Sequence, residues 1–149
     1  MLSIDPDERY MRMALEEARK AAEEGEVPVG AVVVSGRRLL ARAHNQTQRL
    51  NDVTAHAEML AITAAAEALG GKYLNDCTLY VTLEPCIMCA GALGWSQLGR
   101  LVYGAEDEKR GFHLYSDKRA PLHPRTEIRK GVLKEEAAEI MREFFAKKR

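Results

Sequence analysis

The stretch TLYVTLEPCIMC, residues 78–89, joins a buried strand to the start of a helix. Residues 78–83 are mostly apolar, β-branched or aromatic, which indicates a strand with little exposure to solvent. Pro85 fits the first turn of a helix, where the missing N–H group has no intrahelical partner. Cys86 and Cys89 are three residues apart, so they share one face of that turn. The stretch therefore predicts a strand edge at which a helix start presents two cysteines.

Helices and strands alternate on both sides of this stretch. The predicted elements are a helix from Asp5-Pro6 to about Gly25, strands over 29–34 and 38–43, a helix capped by Thr54 that ends at Gly70-Gly71, a strand over 100–103, and a helix over 134–147. Ser35-Gly36 between the first two strands predicts a hairpin. This order predicts an α/β sheet with helices on its faces.

The composition of the chain indicates one globular domain over residues 1–149, because 46% of the 149 residues are hydrophobic and 30% are charged. No apolar stretch has the length of a signal peptide or a membrane span, so we expect a soluble, cytoplasmic protein without membrane contact. The formal net charge is zero, which gives no overall attraction to nucleic acid. Basic residues are in excess over 100–130 and 142–149, so a local basic surface near the C-terminus remains open.

A second short motif, His56-Ala57-Glu58, lies thirty residues before Cys86. One imidazole and two thiolates, from His56, Cys86 and Cys89, leave one position of a tetrahedral zinc ion open, as in catalytic sites. His56 and Glu58 are about 200° apart around a regular helix, so they can converge only beyond a helix N-terminus. We therefore predict two helix starts that face one zinc ion, with Glu58 beside the metal but not bound to it.

This residue set is typical of hydrolytic chemistry, and His-x-Glu followed by Pro-Cys-x-x-Cys is the signature of zinc-dependent nucleobase deaminases. Zinc activates a water molecule, and Glu58 accepts and returns its proton. A structural Cys₂His₂ site that binds RNA without catalysis is the non-enzymatic alternative, and it needs a fourth ligand. The remaining histidines have no ligand spacing, and we expect them at the surface or behind the site: His44, His113 and His123. Cys77 is expected to be a small buried apolar residue.

The chain resembles the bacterial tRNA-specific adenosine deaminases over almost its full length. The resemblance is carried by residues 26–33, His44-Asn45, residues 54–58 and residues 78–92. It implies a cytidine deaminase-like fold: one three-layer α/β/α domain with a mixed central sheet of about five strands and helices on both faces. It also implies conversion of adenosine to inosine at the wobble position of a tRNA anticodon, by a homodimer with one zinc ion per subunit.

The resemblance also assigns roles by position. Asn45 would form a hydrogen bond to the flipped-out base or its sugar, Val29 and Leu83 would line the pocket with Ala57, and Asp107 and Lys109 would contact neighbouring anticodon nucleotides. Residues 144–145, both phenylalanine, and the basic residues 147–149 resemble a C-terminal segment that touches the RNA loop. Packing within the last helix is the alternative for the two phenylalanines.

Two departures keep a second substrate open. Residues 112–116, Phe-His-Leu-Tyr-Ser, replace the small residues and serine of many family members, so the loop that faces the RNA can differ here. Trp95 stands where bacterial guanine deaminases also tend to have tryptophan. A deaminase of a free purine base such as guanine is therefore the alternative function. A riboflavin-pathway deaminase is less favoured, because that family separates its two cysteines more widely.

Overall fold

A computed structural model describes residues 5–115 and 121–148 of the chain. Its elements, in chain order, are α1 (Pro6–Glu23), β1 (Gly30–Ser35), β2 (Arg38–His44), α2 (Ala57–Leu69), β3 (Cys77–Leu83), α3 (Ile87–Trp95), β4 (Arg100–Ala105), a 3₁₀ turn (Phe112–Leu114), β5 (Glu127–Lys130) and α4 (Lys134–Lys147). Within the described part of the chain, no helix is both long enough and apolar enough to cross a membrane.

The five strands form one mixed sheet in the order β2-β1-β3-β4-β5. β1 runs antiparallel to both β2 and β3, whereas β3, β4 and β5 run parallel to one another. The predicted mixed sheet of about five strands is thus confirmed, and so is the hairpin between β1 and β2. The parallel half places the carboxyl ends of β3 and β4 at the same edge, where α3 begins.

Helices cover both faces of the sheet, as predicted for a three-layer α/β/α arrangement. Because side chains alternate along a strand, Ala31 and Val33 pack with α2 and α3, whereas Val32 and Val34 pack with α1. α4 lies on the same face as α1 and packs against β4. α1 approaches β1 closely, since a Cβ atom on Gly30 would lie 1.9 Å from the carbonyl oxygen of Ala14.

A buried carboxylate holds the start of α1 to three strands. Asp7, only 5% exposed, accepts hydrogen bonds from the Tyr80 hydroxyl at 2.7 Å and from the Arg100 guanidinium at 2.7 and 2.8 Å. Arg129 of β5 donates to the same carboxylate. The Arg100 guanidinium, with the other two donors, holds the pKa of Asp7 well below its usual range despite burial. Asp7 is therefore ionised in the folded protein at neutral pH.

Two sequence predictions about local structure are wrong, and one strand was not predicted. α2 begins at Ala57 and not after Thr54, because the Thr54 N–H and hydroxyl both donate to the Asp52 carboxylate, at 2.8 Å each, and leave no cap for the helix. His56 occupies the N-cap position instead. α3 begins at Ile87, two residues after the predicted Pro85. β5 has no counterpart among the predicted strands, because residues 127–130 are short and largely exposed.

Candidate active site

The starts of α2 and α3 bring His56, Cys86 and Cys89 together. His56 is the N-cap residue of α2, Cys86 is the N-cap residue of α3, and Cys89 lies in the first turn of α3. The His56 Nδ1 atom is 3.7 Å from the Cys86 Sγ atom and 3.5 Å from the Cys89 Sγ atom. All three candidate ligand atoms lie within 4.8 Å of one another. Because His56 is the N-cap residue, its backbone is extended and not helical, and its ring lies near the two cysteines.

These distances fit a tetrahedral zinc ion. With zinc bonded to nitrogen at about 2.0–2.1 Å and to sulfur at about 2.3 Å, the tetrahedral angle separates a nitrogen ligand from a sulfur ligand by about 3.6 Å. The two measured N···S distances, 3.7 and 3.5 Å, lie on either side of that value. The donor set of one imidazole and two thiols is also the one that zinc prefers. His56, Cys86 and Cys89 can therefore hold zinc without rearrangement of the backbone.

The pKa values of the Cys86 and Cys89 thiols are shifted in opposite directions. A hydrogen bond from the Cys89 thiol lowers the pKa of Cys86 to about 4, and the His56 ring adds to the effect against burial. The pKa of Cys89 rises well above its ordinary value, because its thiol donates to Cys86 and is itself buried. The hydrogen bond to Cys86 also raises the pKa of His56. One thiolate is thus present in the group at neutral pH, and metal binding must displace the proton of Cys89.

Glu58 lies in the first turn of α2, two residues beyond His56, and is only 4% exposed. Burial raises its pKa from the ordinary 4.5 to about 7, with the negative Cys86 adding to the effect and the His56 ring opposing it. A carboxyl group with a pKa near neutrality can both accept and donate a proton at working pH. Such a group in the same cavity wall as candidate metal ligands is suited to general acid–base catalysis.

A cavity of about 210 Å³ opens onto this group. Its wall contains three residues of the catalytic motifs, His56, Glu58 and Cys86. It also contains four residues to which the resemblance assigned substrate contacts: Val29, Asn45, Leu83 and Asp107. Four further wall residues were not predicted from the sequence: Val27, Thr47, Glu84 and Arg110. A larger depression of about 500 Å³ lies between β4 and α4, and it is not lined by His56, Glu58, Cys86 or Cys89. The smaller cavity is therefore the candidate substrate site.

Asn45, in the wall of this cavity, is hydrogen-bonded to the backbone of Ala57 behind it. The Asn45 side-chain oxygen accepts a hydrogen bond of 2.7 Å from the Ala57 N–H group. This bond fixes the start of α2 and, within the described residues, leaves the Asn45 amide nitrogen without a protein acceptor. Ala57 itself is fully buried and does not line the cavity. The resemblance thus placed Asn45 at the cavity wall, whereas Ala57 acts there only through its backbone.

Asp107 and Lys109 lie on the same turn but point to different places. The Asp107 carboxylate accepts hydrogen bonds of 3.0 Å from the N–H groups of Lys109 and Arg110, which closes the turn. Asp107 and Arg110 line the cavity, whereas Lys109 lines a separate depression of about 420 Å³ against α4, next to Met141 and Phe145. Lys109 is therefore outside the candidate site and on the adjoining surface.

The other residues considered from sequence fall outside the metal group. His44 lies between the carboxylates of Glu17 and Glu24, at 3.0 and 3.1 Å, and His113 lies 2.7 Å from the Glu84 carboxylate, behind the cavity. Cys77 is 1% exposed, as expected for a buried apolar residue. Two further predictions, for Ser116 and for the end of the basic tail at Arg149, fall outside the described residues.

Two aromatic features have different surroundings. Trp95, at the end of α3, is 87% exposed and does not line the cavity. The Phe144 and Phe145 rings meet edge to face at 5.2 Å, yet Phe145 remains 47% exposed on the surface next to Lys109. The two rings thus pack on each other within α4 while Phe145 stays exposed, and its contact with RNA stays a prediction.

Comparison with known proteins places the chain among deaminases. The family model of the MafB19-like deaminases matches residues 5–149. A tRNA-specific adenosine deaminase from Agrobacterium fabrum is 47% identical in an alignment of length 145 that covers 94% of each chain. The tRNA-specific adenosine deaminase of Bacillus subtilis is 46% identical in an alignment of length 144 that covers 93% of this chain and 88% of that one.

Solved structures of both kinds of deaminase match the chain. A structure from work on A-to-I editing by tRNA:A34 deaminases at the wobble position matches with a TM-score of 0.81 and 46% identity, over 89% of this chain and 98% of that one. A guanine deaminase from Bacillus subtilis matches with a TM-score of 0.67 and 34% identity, over 78% of this chain and 80% of that one. Sequence identity thus favours the tRNA enzyme, whereas the fold does not separate the two classes, because a guanine deaminase from Nitrosomonas europaea also matches with a TM-score of 0.81, at 25% identity over 98% of this chain and 87% of that one.

Proposed function

This chain belongs to the tRNA-specific adenosine deaminase family, and we propose that it converts adenosine to inosine at the wobble position of a tRNA anticodon with a zinc ion held by His56, Cys86 and Cys89. The observation that carries the proposal is the meeting of three zinc ligands and a buried carboxylate, Glu58, in one small cavity. The proposal includes one zinc ion per subunit at this group, which contains the two cysteines, and not at the second described cluster of possible ligands, Glu84, Glu106 and His113. A tRNA substrate also favours a cytoplasmic location.

The reaction adds water to adenosine and releases ammonia. A bound zinc ion would supply the acidity that makes water a nucleophile near neutral pH. Glu58 takes one proton from the water and delivers it to a ring nitrogen, and it then takes the second proton from the hydroxyl group added to the ring and transfers it to the departing amine, which leaves as ammonia. The pKa of about 7 that burial gives Glu58 suits a group that must hold and release protons in one cycle. Water attacks C6, the C–N bond breaks, and the hydroxyl oxygen remains on the ring as the carbonyl of inosine.

The size of the cavity favours one flipped-out base as its occupant. At about 210 Å³, it is below the roughly 300–1,000 Å³ of sites that enclose a drug-sized ligand. The base would lie between Val29 and Leu83, with the free Asn45 amide nitrogen as a donor to it or to its sugar. The ribose and phosphates would lie at the rim beside Arg110, whose guanidinium has no carboxylate partner among the described residues. Exposed Phe145 and the neighbouring Lys109 offer a stacking and phosphate surface for the rest of the loop.

Trp95 favoured a free purine base as the substrate, but its position in the structure does not support that alternative. Trp95 is 87% exposed and outside the cavity, so it cannot select a base there. Its position supports a different role.

We propose that Trp95 belongs to a homodimer interface. α3, with the sequence IMCAGALGW, has no charged side chain, and its outer face exposes Ile87 at 42% and Trp95 at 87%. Tyr73, 47% exposed, lies beside this face, because the Leu74 N–H donates to the Ser96 carbonyl oxygen at 2.8 Å. A helix that is apolar on all sides is normally buried, so a second copy of the chain is the partner that fits. Sedimentation should give a dimer that Trp95→Glu converts to a monomer; a wild-type monomer at working concentration would overturn this.

The proposed activity is tested with an anticodon stem-loop that carries adenosine at the wobble position. The purified protein is expected to produce inosine there and to leave guanine, adenine and cytosine unchanged. Turnover of guanine without turnover of the stem-loop would replace the proposal with the free-base alternative.

A further inference from the structure

We infer that Glu26 and Glu84 are positioning residues that hold the two loops between which the substrate nucleotide binds. The inference rests on the proposed function and adds two residues to it. One loop is the β2–α2 loop, residues 45–56, which carries Asn45 and Thr47. The other is the loop after β4, residues 106–113, which carries Asp107 and Arg110. Each loop contributes to the cavity wall, and each is bound to one buried glutamate.

The Glu26 side chain holds the β2–α2 loop through hydrogen bonds to its backbone. It is 1% exposed, and its two carboxylate oxygens accept hydrogen bonds from the Gln48 N–H at 3.0 Å and the Arg49 N–H at 2.8 Å. The Thr47 hydroxyl lies 3.4 Å from the same carboxylate. Residues 46–52 belong to neither a helix nor a strand, so these bonds take the place of a regular ladder. Val27, next to Glu26, lines the cavity itself.

Glu84 fixes the loop after β4 in the same way. It is 2% exposed, and it accepts hydrogen bonds from the Asp107 N–H at 3.1 Å and the His113 N–H at 3.0 Å, one at each end of the loop. The His113 ring lies 2.7 Å from the carboxylate. Gly111 closes the loop over Glu84, because a Cβ atom there would lie 2.4 Å from the carboxylate. Both oxygens of Glu84 are thus occupied by the loop.

The carboxylate oxygens of both glutamates are bonded to N–H groups of the loops, so we expect their effect on the substrate to run through the loops. A loop held in its bound shape loses little conformational freedom when the nucleotide enters, whereas a loosened loop must be ordered at that moment. Replacing either carboxylate by an amide keeps the volume but presents an NH₂ group to a backbone N–H. One or two buried hydrogen bonds are lost, which corresponds to about tenfold weaker substrate binding.

The test compares Glu26→Gln and Glu84→Gln with Glu17→Gln. Glu17 is a matched control, since it is equally buried at 4% exposure but binds Lys20, Arg42 and His44 on α1 and β2, away from the cavity. KM and kcat are measured with the stem-loop, together with zinc content and thermal unfolding. We expect KM to rise about tenfold in the two loop variants, with kcat within about threefold and zinc content unchanged. Glu17→Gln should lower the unfolding temperature and leave KM unchanged.

An unchanged KM in the loop variants, or an equal rise in Glu17→Gln, would overturn the inference, and so would loss of zinc from either variant. If the amide variants do not fold, two milder variants replace them. Glu26→Asp weakens the bonds to the β2–α2 loop, and His113→Ala removes the ring that contacts Glu84. Each should raise KM about threefold, and no rise would overturn the inference. Failure of the wild-type protein to act on the stem-loop contradicts the proposed function instead, so the two failures are distinguishable.

Discussion

Replacement of Glu58 by glutamine should abolish the reaction and, in the metal-free protein, stabilise the fold. Glutamine has the shape of the buried carboxyl group but cannot move a proton. Proton transfer by a positioned group contributes about 10²–10⁴-fold to a rate, and Glu58 performs several transfers in one cycle. We therefore expect kcat on the stem-loop to fall by roughly 10³-fold or more, which is about 4 kcal/mol in the activation free energy. Zinc content should not change, because His56, Cys86 and Cys89 are untouched.

The stability effect follows from the pKa of the same residue. Burial raises the pKa of Glu58 from 4.5 in the unfolded chain to about 7 in the folded protein. The folded state therefore retains the proton to a higher pH than the unfolded chain does. As a result, the free energy of unfolding of the wild-type protein decreases as the pH rises from 4.5 to 7. At 1.36 kcal/mol for each pKa unit, the ionised carboxylate costs about 3 kcal/mol at pH 8 and less than 1 kcal/mol at pH 5. Glutamine avoids this cost.

The assay is urea unfolding of the wild-type protein and the Glu58→Gln variant, both treated with a chelator because a bound cation would lower the same pKa. The variant should be more stable by about 3 kcal/mol at pH 8, and the two proteins should be nearly equal at pH 5. A variant that keeps a tenth of the wild-type kcat would refute Glu58 as the proton carrier. A stability difference that does not depend on pH would refute the account of its pKa.

Two further predictions concern the metal ligands and the start of α1. Cys86→Ala should abolish bound zinc, whereas Cys77→Ala, which removes a thiol that is 1% exposed, should leave one equivalent in place; full zinc binding without Cys86 would contradict the ligand set. Asp7→Asn should lower the free energy of unfolding by about 2–3 kcal/mol at pH 7, because it breaks a buried group of ion pairs with Arg100 and Arg129. Since the pKa of Asp7 is depressed in the folded state, the wild-type advantage is present above about pH 4 and decreases below it. Urea unfolding at pH 7 and pH 3 checks this, and an advantage that persists unchanged at pH 3 would contradict it.

The metal group could be located from sequence because its geometry depends on local spacing. His56 and Glu58, two residues apart, can converge only at a helix start, and Cys86 and Cys89 share a face only in a helical turn. The structure places all four at the first turns of α2 and α3. The apolar periodicity of residues 134–147 likewise gave the bounds of α4 correctly.

The features that sequence analysis missed depend on contacts between distant segments. The competition of Asp52 for Thr54 displaced the start of α2, and nothing in the local pattern favours one partner over the other. Glu26 and Glu84 appear in the sequence as ordinary charged residues beside strands. Only the folded chain brings backbone N–H groups from 22 and 23 residues away to their carboxylates. The short, exposed β5 is defined by pairing with β4 and not by its own residues.

The most direct test of the central claim is to incubate the zinc-loaded protein with the wobble-adenosine stem-loop, digest the RNA and identify the nucleoside at that position. The wild-type protein should give inosine at the wobble position, and Glu58→Gln should leave adenosine unreacted at equal zinc content. Unreacted adenosine from the wild-type protein, or equal inosine from both proteins, would contradict it.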